Sequence, residues 1–147
     1  MAENRKARLR LLIRLMLIAT LCFIWSNSMA GKESSASLSG RVTAWLNSIG
    51  IPATEYFVRK SAHFCEFGLL GVELMLLFWL RSGLHMQNCC NAAFAALLTA
   101  VTDETIQIFS GRGSQVQDVL LDFSGAVTGI LFVSLMISLI EKRKQKN

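Results

Sequence analysis

Long apolar stretches alternate with short polar ones along the chain. Four of these stretches are apolar enough to cross a membrane, at residues 11–30, 62–80, 92–109 and 119–140. Each is close to the ~20 residues that a helix needs to span a hydrocarbon core of ~30 Å. Because lipid offers no partner for free backbone groups, such segments must be helical. The pattern predicts an all-α polytopic membrane protein, a single domain over residues 1–147 built as a bundle of four transmembrane helices.

The first apolar stretch allows a second interpretation. A basic start and an apolar run are followed by the small residues Ser28 and Ala30, a pattern that resembles a signal peptide with its cleavage site. Cleavage after Ala30 would leave three spans. The residues of this segment alone leave both interpretations open, a retained helix and a removed leader.

Composition and charge agree with a membrane protein. Of the 147 residues, 52% are hydrophobic and 17% are charged, and the mean hydropathy of +0.44 is high for a soluble domain. The net charge of +5 arises largely from basic residues near the two ends, at 5–14 and 142–146. Basic blocks beside apolar spans favour orientation in a membrane and contact with anionic lipid, so we expect no nucleic-acid partner.

The charges between the spans predict the topology. Both ends of the chain should be cytoplasmic, which four spans permit. The loop 31–60 and the turn 110–117 then lie outside, and the loop 81–88 lies inside. Several basic residues would lie outside, against the usual tendency, and for three of them this indicates another role: Arg59, Lys60 and Arg112.

The outer loop 31–60 begins with a serine-rich stretch. Residues 41–50 are predicted to form a short interfacial helix, with Val42, Trp45 and Ile49 on one side and Pro52 at its end. The 4 cysteines of the chain have no metal-ligand or disulfide spacing and are expected to be small buried apolar side chains. We recognise no metal-binding motif and expect no cofactor.

Ionisable residues inside membrane spans are costly and are candidates for function by default. The predicted topology brings those of three spans to the same depth, near the outer surface, with Arg112 in the turn above them. We therefore expect one shared pocket formed by Lys60, His63, Glu66, Asp103, Glu104, Gln107, Arg112 and Asp118.

Helix four combines acids with small residues on one face. Asp118 and Asp122 are four residues apart, and Gly125 and Gly129 continue the same face. Two glycines at this spacing let another helix approach closely. We therefore expect Gly125 and Gly129 to be helix-packing residues and the acids to point into the bundle.

The cluster itself has two explanations. It is either a set of buried ion pairs that ties helices together, or a cleft open to the outside that binds a ligand or performs acid–base chemistry. In the second case Lys60 and Arg112 would hold phosphate or carboxylate, and His63 would donate or shuttle a proton. The acids would orient these bases or bind a cation. The ligand-binding candidates are Lys60, His63, Gln107, Arg112, Asp118 and Asp122, and the catalytic candidates are His63, Glu66, Asp103 and Glu104.

Two motifs resemble the signatures of the VanZ-like family. Residues 60–71 (KSAHFCEFGLLG) are similar to the family's K-x-A-H-F-x-E-Y-x-x-L-G. Residues 103–129 resemble its second signature, which joins an Asp-Glu pair, a glutamine, a Gly-Arg turn, two acids and two glycines. Phe67 stands where the family usually has tyrosine, and Ser110 stands where proline is common before Gly-Arg. The resemblance covers nearly the whole chain and implies that the first helix is retained.

The resemblance also implies a setting. Members of the family are bacterial membrane proteins, and the family is named for a protein linked to teicoplanin resistance. We expect a multi-pass protein of the bacterial cytoplasmic membrane whose outward cleft engages a membrane lipid or a lipid-linked cell-wall precursor. The alternatives are an integral-membrane enzyme acting on a lipid-linked phosphate or peptide, with no nucleophile that can be named, and a structural membrane protein whose polar cluster only ties helices together.

Overall fold

The described part of the chain folds into five α-helices. The computed structural model describes residues 2–30, 32–111, 113 and 115–146, apart from the side chains of residues 2 and 32–35. The helices in chain order are α1 (Ala2–Met29), α2 (Lys32–Ser48), α3 (Glu55–Ser82), α4 (Met86–Phe109) and α5 (Val116–Lys146). Helices α1, α3, α4 and α5 are long and apolar enough to cross a membrane. The predictions of an all-α chain and of four such helices are confirmed.

The long helices extend beyond the apolar stretches that predicted them. Helix α3 starts at Glu55 rather than at 62, because the Thr54 side chain accepts a hydrogen bond from the Phe57 backbone N–H at 3.2 Å and caps the helix. It ends at Ser82 and is followed by Gly83, whose φ of 89° suits glycine. Hydropathy marks the part of a helix in lipid, while caps and turns set its ends.

Helix α2 corrects the expectation for the outer loop. The predicted interfacial helix at 41–50 is part of a longer helix that starts at Lys32, so the serine-rich stretch is helical rather than a loop. The helix ends at Ser48, before Pro52, and Gly50 turns the chain with a φ of 83°. Trp45 and Ile49 are more than half exposed. This apolar face is typical of a helix at a membrane surface.

The central contact of the bundle is between α3 and α5, the helix pair with the most extensive packing. Small residues bring the two backbones together. A Cβ added to Gly129 would overlap the carbonyl oxygen of Gly68, and one added to Gly71 would overlap the backbone of Ala126. Around this contact lie the fully buried side chains of Phe67, Leu70, Met75 and Ala126, with Ile24 of α1.

The outward faces of the long helices are apolar. Leu15, Ile18, Leu131 and Phe132 are all more than half exposed, as lipid contact requires. Three of the cysteines, Cys22, Cys65 and Cys90, are also exposed, and Cys89 is half-buried. The expectation that the cysteines are buried is therefore wrong for these three, since a cysteine in a membrane span can face lipid as readily as the core.

Candidate functional site

Polar side chains gather at one end of the bundle. Helices α1 and α4 end there, and α3 and α5 begin there, so residues far apart in sequence become neighbours. Ser28 of α1 bonds to Asp103 of α4, and Lys60 of α3 pairs with Asp118 of α5. The basic residues at the two termini of the chain lie at the opposite end of the bundle. There the Trp79 ring N–H of α3 donates to Glu141 of α5 at 3.3 Å.

A cavity of about 210 Å³ opens into this polar end. Six of the predicted site residues line it: Lys60, His63, Glu104, Gln107, Asp118 and Asp122. Asp103 is fully buried behind it, and Glu66 borders a neighbouring groove instead. Arg112 lies outside the described residues. The remaining lining residues are Arg59, Gly113 and Leu121.

The Lys60 ammonium forms an ion pair with the Asp118 carboxylate across the cavity. Both side chains are about one-fifth exposed, so the pair is open to solvent on one side. The ammonium also lies 5.4 Å from the centre of the Tyr56 ring, within the range of a cation–π contact. This pair joins the start of α3 to the start of α5.

Asp122 lies deeper than Asp118 and has a different environment. Its side chain is 1% exposed, and its Oδ1 is 3.5 Å from Nδ1 of His63. That distance is too long for a good hydrogen bond. Within the described part of the chain, neither carboxylate oxygen of Asp122 has a hydrogen-bond partner. The Nδ1 atom of His63 has none either. Two polar groups therefore lie side by side in or near the core, and their facing atoms have no hydrogen bonds from the described residues.

Asp103 is held by donors on both oxygens. The Ser28 hydroxyl donates to Oδ1 at 2.5 Å, and the Gln107 amide donates to Oδ2 at 2.9 Å. The same amide donates to Glu104 at 3.0 Å. The Ser110 hydroxyl donates to the Ser28 carbonyl at 2.8 Å. The end of α4 is thereby tied to the end of α1.

An apolar groove of about 390 Å³ adjoins the polar cavity. It lies among α1, α2 and α3, and the Asn27 amide donates to Glu66 at its edge at 3.4 Å. Arg59 and His63 line both the groove and the cavity. The apolar wall is made chiefly by Phe23, Leu38, Val42, Leu46, Phe57 and Val58.

Glu73 lies away from this site, further along α3. Its side chain is 3% exposed, and one carboxylate oxygen accepts a hydrogen bond from Thr20 of α1 at 3.0 Å. The partner of Glu73 therefore belongs to α1, which packs against α3.

Sequence reasoning missed three residues as parts of this site: Asn27, Ser28 and Arg59. Asn27 and Ser28 are common at helix ends, so their type gave no signal. Arg59 did stand out as a charge on the outer side but was not assigned to the cluster. With these residues the site offers anion-binding bases at its rim and acidic groups with an imidazole deeper inside.

Comparison with known proteins identifies one family. The family model described as VanZ/LLP1 matches residues 11–137 of the 147-residue chain. No curated protein and no solved structure matches the chain.

Proposed function

Because the chain belongs to the VanZ/LLP1 family of membrane proteins, we propose that it is a bacterial envelope protein that binds a lipid-linked anion. The head group, a phosphate or a carboxylate, occupies the polar cavity. The lipid chain lies along the adjoining apolar groove. In this proposal the polar end of the bundle faces outward from the cytoplasmic membrane.

The observation that carries the proposal is the junction of the two spaces. A polar cavity and a larger apolar groove meet at Arg59 and His63, which line both. An amphipathic molecule needs such an arrangement, since its charged end requires donors and its chain requires an apolar wall. A small soluble anion would use the cavity alone and would leave the groove unexplained.

The polar groups of the rim suit an oxyanion. Arg59 offers a planar fork of donors and Lys60 a compact charge. Lys60 is paired with Asp118 in the structure. A phosphate would replace this carboxylate as the partner of Lys60, so the positive charge of the ammonium would still be balanced by a negative one.

Binding of a polyprenyl phosphate to the purified protein tests the proposal. Native mass spectrometry in detergent gives the affinity for the wild type, Arg59→Gln, Lys60→Gln and the control Arg81→Gln. Arg81 is an exposed base at the far end of α3. Loss of a charged hydrogen bond should weaken binding by about tenfold to a hundredfold for the first two variants and leave the control unchanged.

Two lipid controls separate head group from chain. Polyprenol of the same length lacks the phosphate, and phosphatidylglycerol has a phosphate on a different lipid. The proposal expects polyprenyl phosphate to bind more tightly than either. Equal binding of polyprenol, or equal weakening by Arg81→Gln, would refute it.

A contribution to teicoplanin resistance is the finer part of the proposal. It is supported by the family to which the chain belongs. The teicoplanin concentration that inhibits growth should rise in cells that produce the wild type and not in cells that produce Lys60→Gln at equal abundance. If the wild type does not raise the inhibitory teicoplanin concentration, the contribution to resistance is refuted. The lipid-binding proposal is then decided by the binding experiment alone.

A further inference from the structure

We propose that His63, Asp103 and Asp122 form a binding site for one divalent metal ion, Zn²⁺ or Mn²⁺. The three residues come from α3, α4 and α5, and each offers one ligand atom. These atoms lie within 4.8 Å of one another. One imidazole nitrogen with two carboxylate oxygens is a ligand set that suits both ions.

Asp122 supplies the clearest sign of a missing partner. It is 99% buried, lines the wall of the cavity, and has no hydrogen bond to either oxygen from the described residues. A buried carboxylate in this state is costly unless a cation or several donors compensate it. A metal ion between Asp122 and His63 would satisfy both at once.

The spacing of this pair fits two ligands of one ion better than a hydrogen bond. The His63 Nδ1 and Asp122 Oδ1 atoms are 3.5 Å apart. Two ligands about 2.1 Å from a tetrahedral ion are separated by roughly 3.4 Å. The three ligand atoms, with that of Asp103 included, all lie within 4.8 Å of one another, so small side-chain movements would bring them to one ion.

Asp103 is already oriented as metal ligands usually are. The Ser28 hydroxyl and the Gln107 amide both donate to its oxygens, so the carboxylate is held in place by groups behind it. Metal-binding carboxylates typically have such outer partners, which fix their direction and preserve their charge. Each oxygen keeps a second lone pair that an ion can use.

The negative charges of Asp103 and Asp122 are not compensated by a described lysine or arginine. Among the described residues the ion pairs are Lys60–Asp118 and His63–Asp122. No described lysine or arginine therefore pairs with Asp103 or Asp122. A divalent ion would neutralise the two carboxylates together, which the neutral form of His63 does not.

The placement of the site gives the ion an open side. His63 and Asp122 line the polar cavity, while Asp103 lies behind its wall. An ion held by the three would face the cavity with its remaining coordination positions, where water or an anionic oxygen binds. The metal inference does not rest on the proposed lipid ligand, and its test contains no such lipid.

Metal content of the purified protein tests the site. The tag-free protein is prepared with its four cysteines replaced by alanine, because exposed thiolates bind Zn²⁺ on their own. It is stripped with a chelator, equilibrated with graded Zn²⁺ or Mn²⁺, separated from free ion and analysed by mass spectrometry of the metal. We expect one tightly bound ion per chain.

Substitutions locate the ion. Asp122→Asn and His63→Gln should lose it, while Asp118→Asn, one helical turn from Asp122, should keep it with little change in affinity. Ser28→Ala should weaken binding by about tenfold to a hundredfold, since it removes a donor that orients Asp103. The unfolding temperature of the metal-free Ser28→Ala protein should change little by comparison, and Ser28→Thr should restore affinity.

Two results would overturn the inference. The first is a cysteine-free protein that retains neither Zn²⁺ nor Mn²⁺. The second is retention by His63→Gln or Asp122→Asn with the affinity of the wild type, which would place any ion elsewhere. If Asp122→Asn does not fold, His63→Gln alone decides the question.

Discussion

At the scale of single residues, three buried carboxyl groups differ in what surrounds them. Among the described residues, Asp103 has a donor on each oxygen, Glu73 has a donor on one, and Asp122 has none. Burial of a carboxyl group without full hydrogen bonding costs stability. Asp122 faces the polar cavity, so a ligand can compensate it, whereas Glu73 lines neither the polar cavity nor the apolar groove.

The isolated position of Glu73 leads to a stability prediction. Glu73→Met keeps the length of the side chain and removes the polar oxygen that has no partner. We expect the free energy of unfolding to rise by about 1 kcal/mol, because apolar replacements of poorly satisfied buried charges are often stabilising. Thermal unfolding in detergent measures this. A clear fall in the unfolding temperature would mean that the Thr20 bond is worth more than the burial costs.

The sequence predicted most members of the site because ionisable side chains are conspicuous in apolar helices. Lys60, His63, Gln107 and Asp122 all line the cavity. It did not predict the donors to Asp103 and Glu66, because serine and asparagine at a helix end have many ordinary uses. Nor did it predict the groove, since a shared wall between two spaces depends on how α1, α2 and α3 pack.

At the scale of helices, the pair α3–α5 positions the site. Glycines on both helices let the backbones touch, and this contact brings His63 and Asp122 to adjoining positions. The spacing of Gly125 and Gly129 predicted which face of α5 packs closely against another helix. The sequence did not predict which helix that is, because several spans carry small residues.

Bulk on the packing face should separate the two helices. Gly129→Leu is expected to destabilise the protein by about 2 kcal/mol or more, since its Cβ would overlap the Gly68 backbone. Val127→Leu, two residues away on a partly exposed face, is the matched control and should be tolerated. The unfolding temperature of each variant checks this, and equal tolerance would contradict the assigned face.

Helix α1 contributes to the site and should remain in the mature protein. Ser28 bonds to Asp103, Thr20 bonds to Glu73, and Ile24 is part of the core. Removal of residues 1–30 as a signal peptide would leave these partners without their bonds. The mass of the intact purified protein should therefore include α1. A mature chain that begins at Gly31 would contradict this.

At the scale of the whole molecule, the two ends of the bundle differ in charge. The chain ends carry basic blocks, and the opposite end carries the polar cavity. The positive-inside tendency predicts that the basic end is cytoplasmic and that the cavity faces outward. Length and hydropathy predicted the four long helices well, because these properties are summed over many residues.

Reporter fusions check the predicted orientation. A reporter enzyme that works only in the cytoplasm should be active when it is fused after Asn147. A reporter enzyme that works only outside the membrane should be active when it is inserted at residues 34–39. The reason is the basic residues at 142–146, which resist transfer across the membrane. External activity of the fusion after Asn147 would contradict the topology and would turn the cavity toward the cytoplasm.

A structure of the protein bound to polyprenyl phosphate would show directly whether the cavity and the groove hold one lipid. We expect the phosphate in the polar cavity, within hydrogen-bond distance of Arg59 and Lys60, and the chain along the groove among α1, α2 and α3. A phosphate bound at the basic blocks of the chain ends, with the cavity and groove free of lipid, would contradict this expectation.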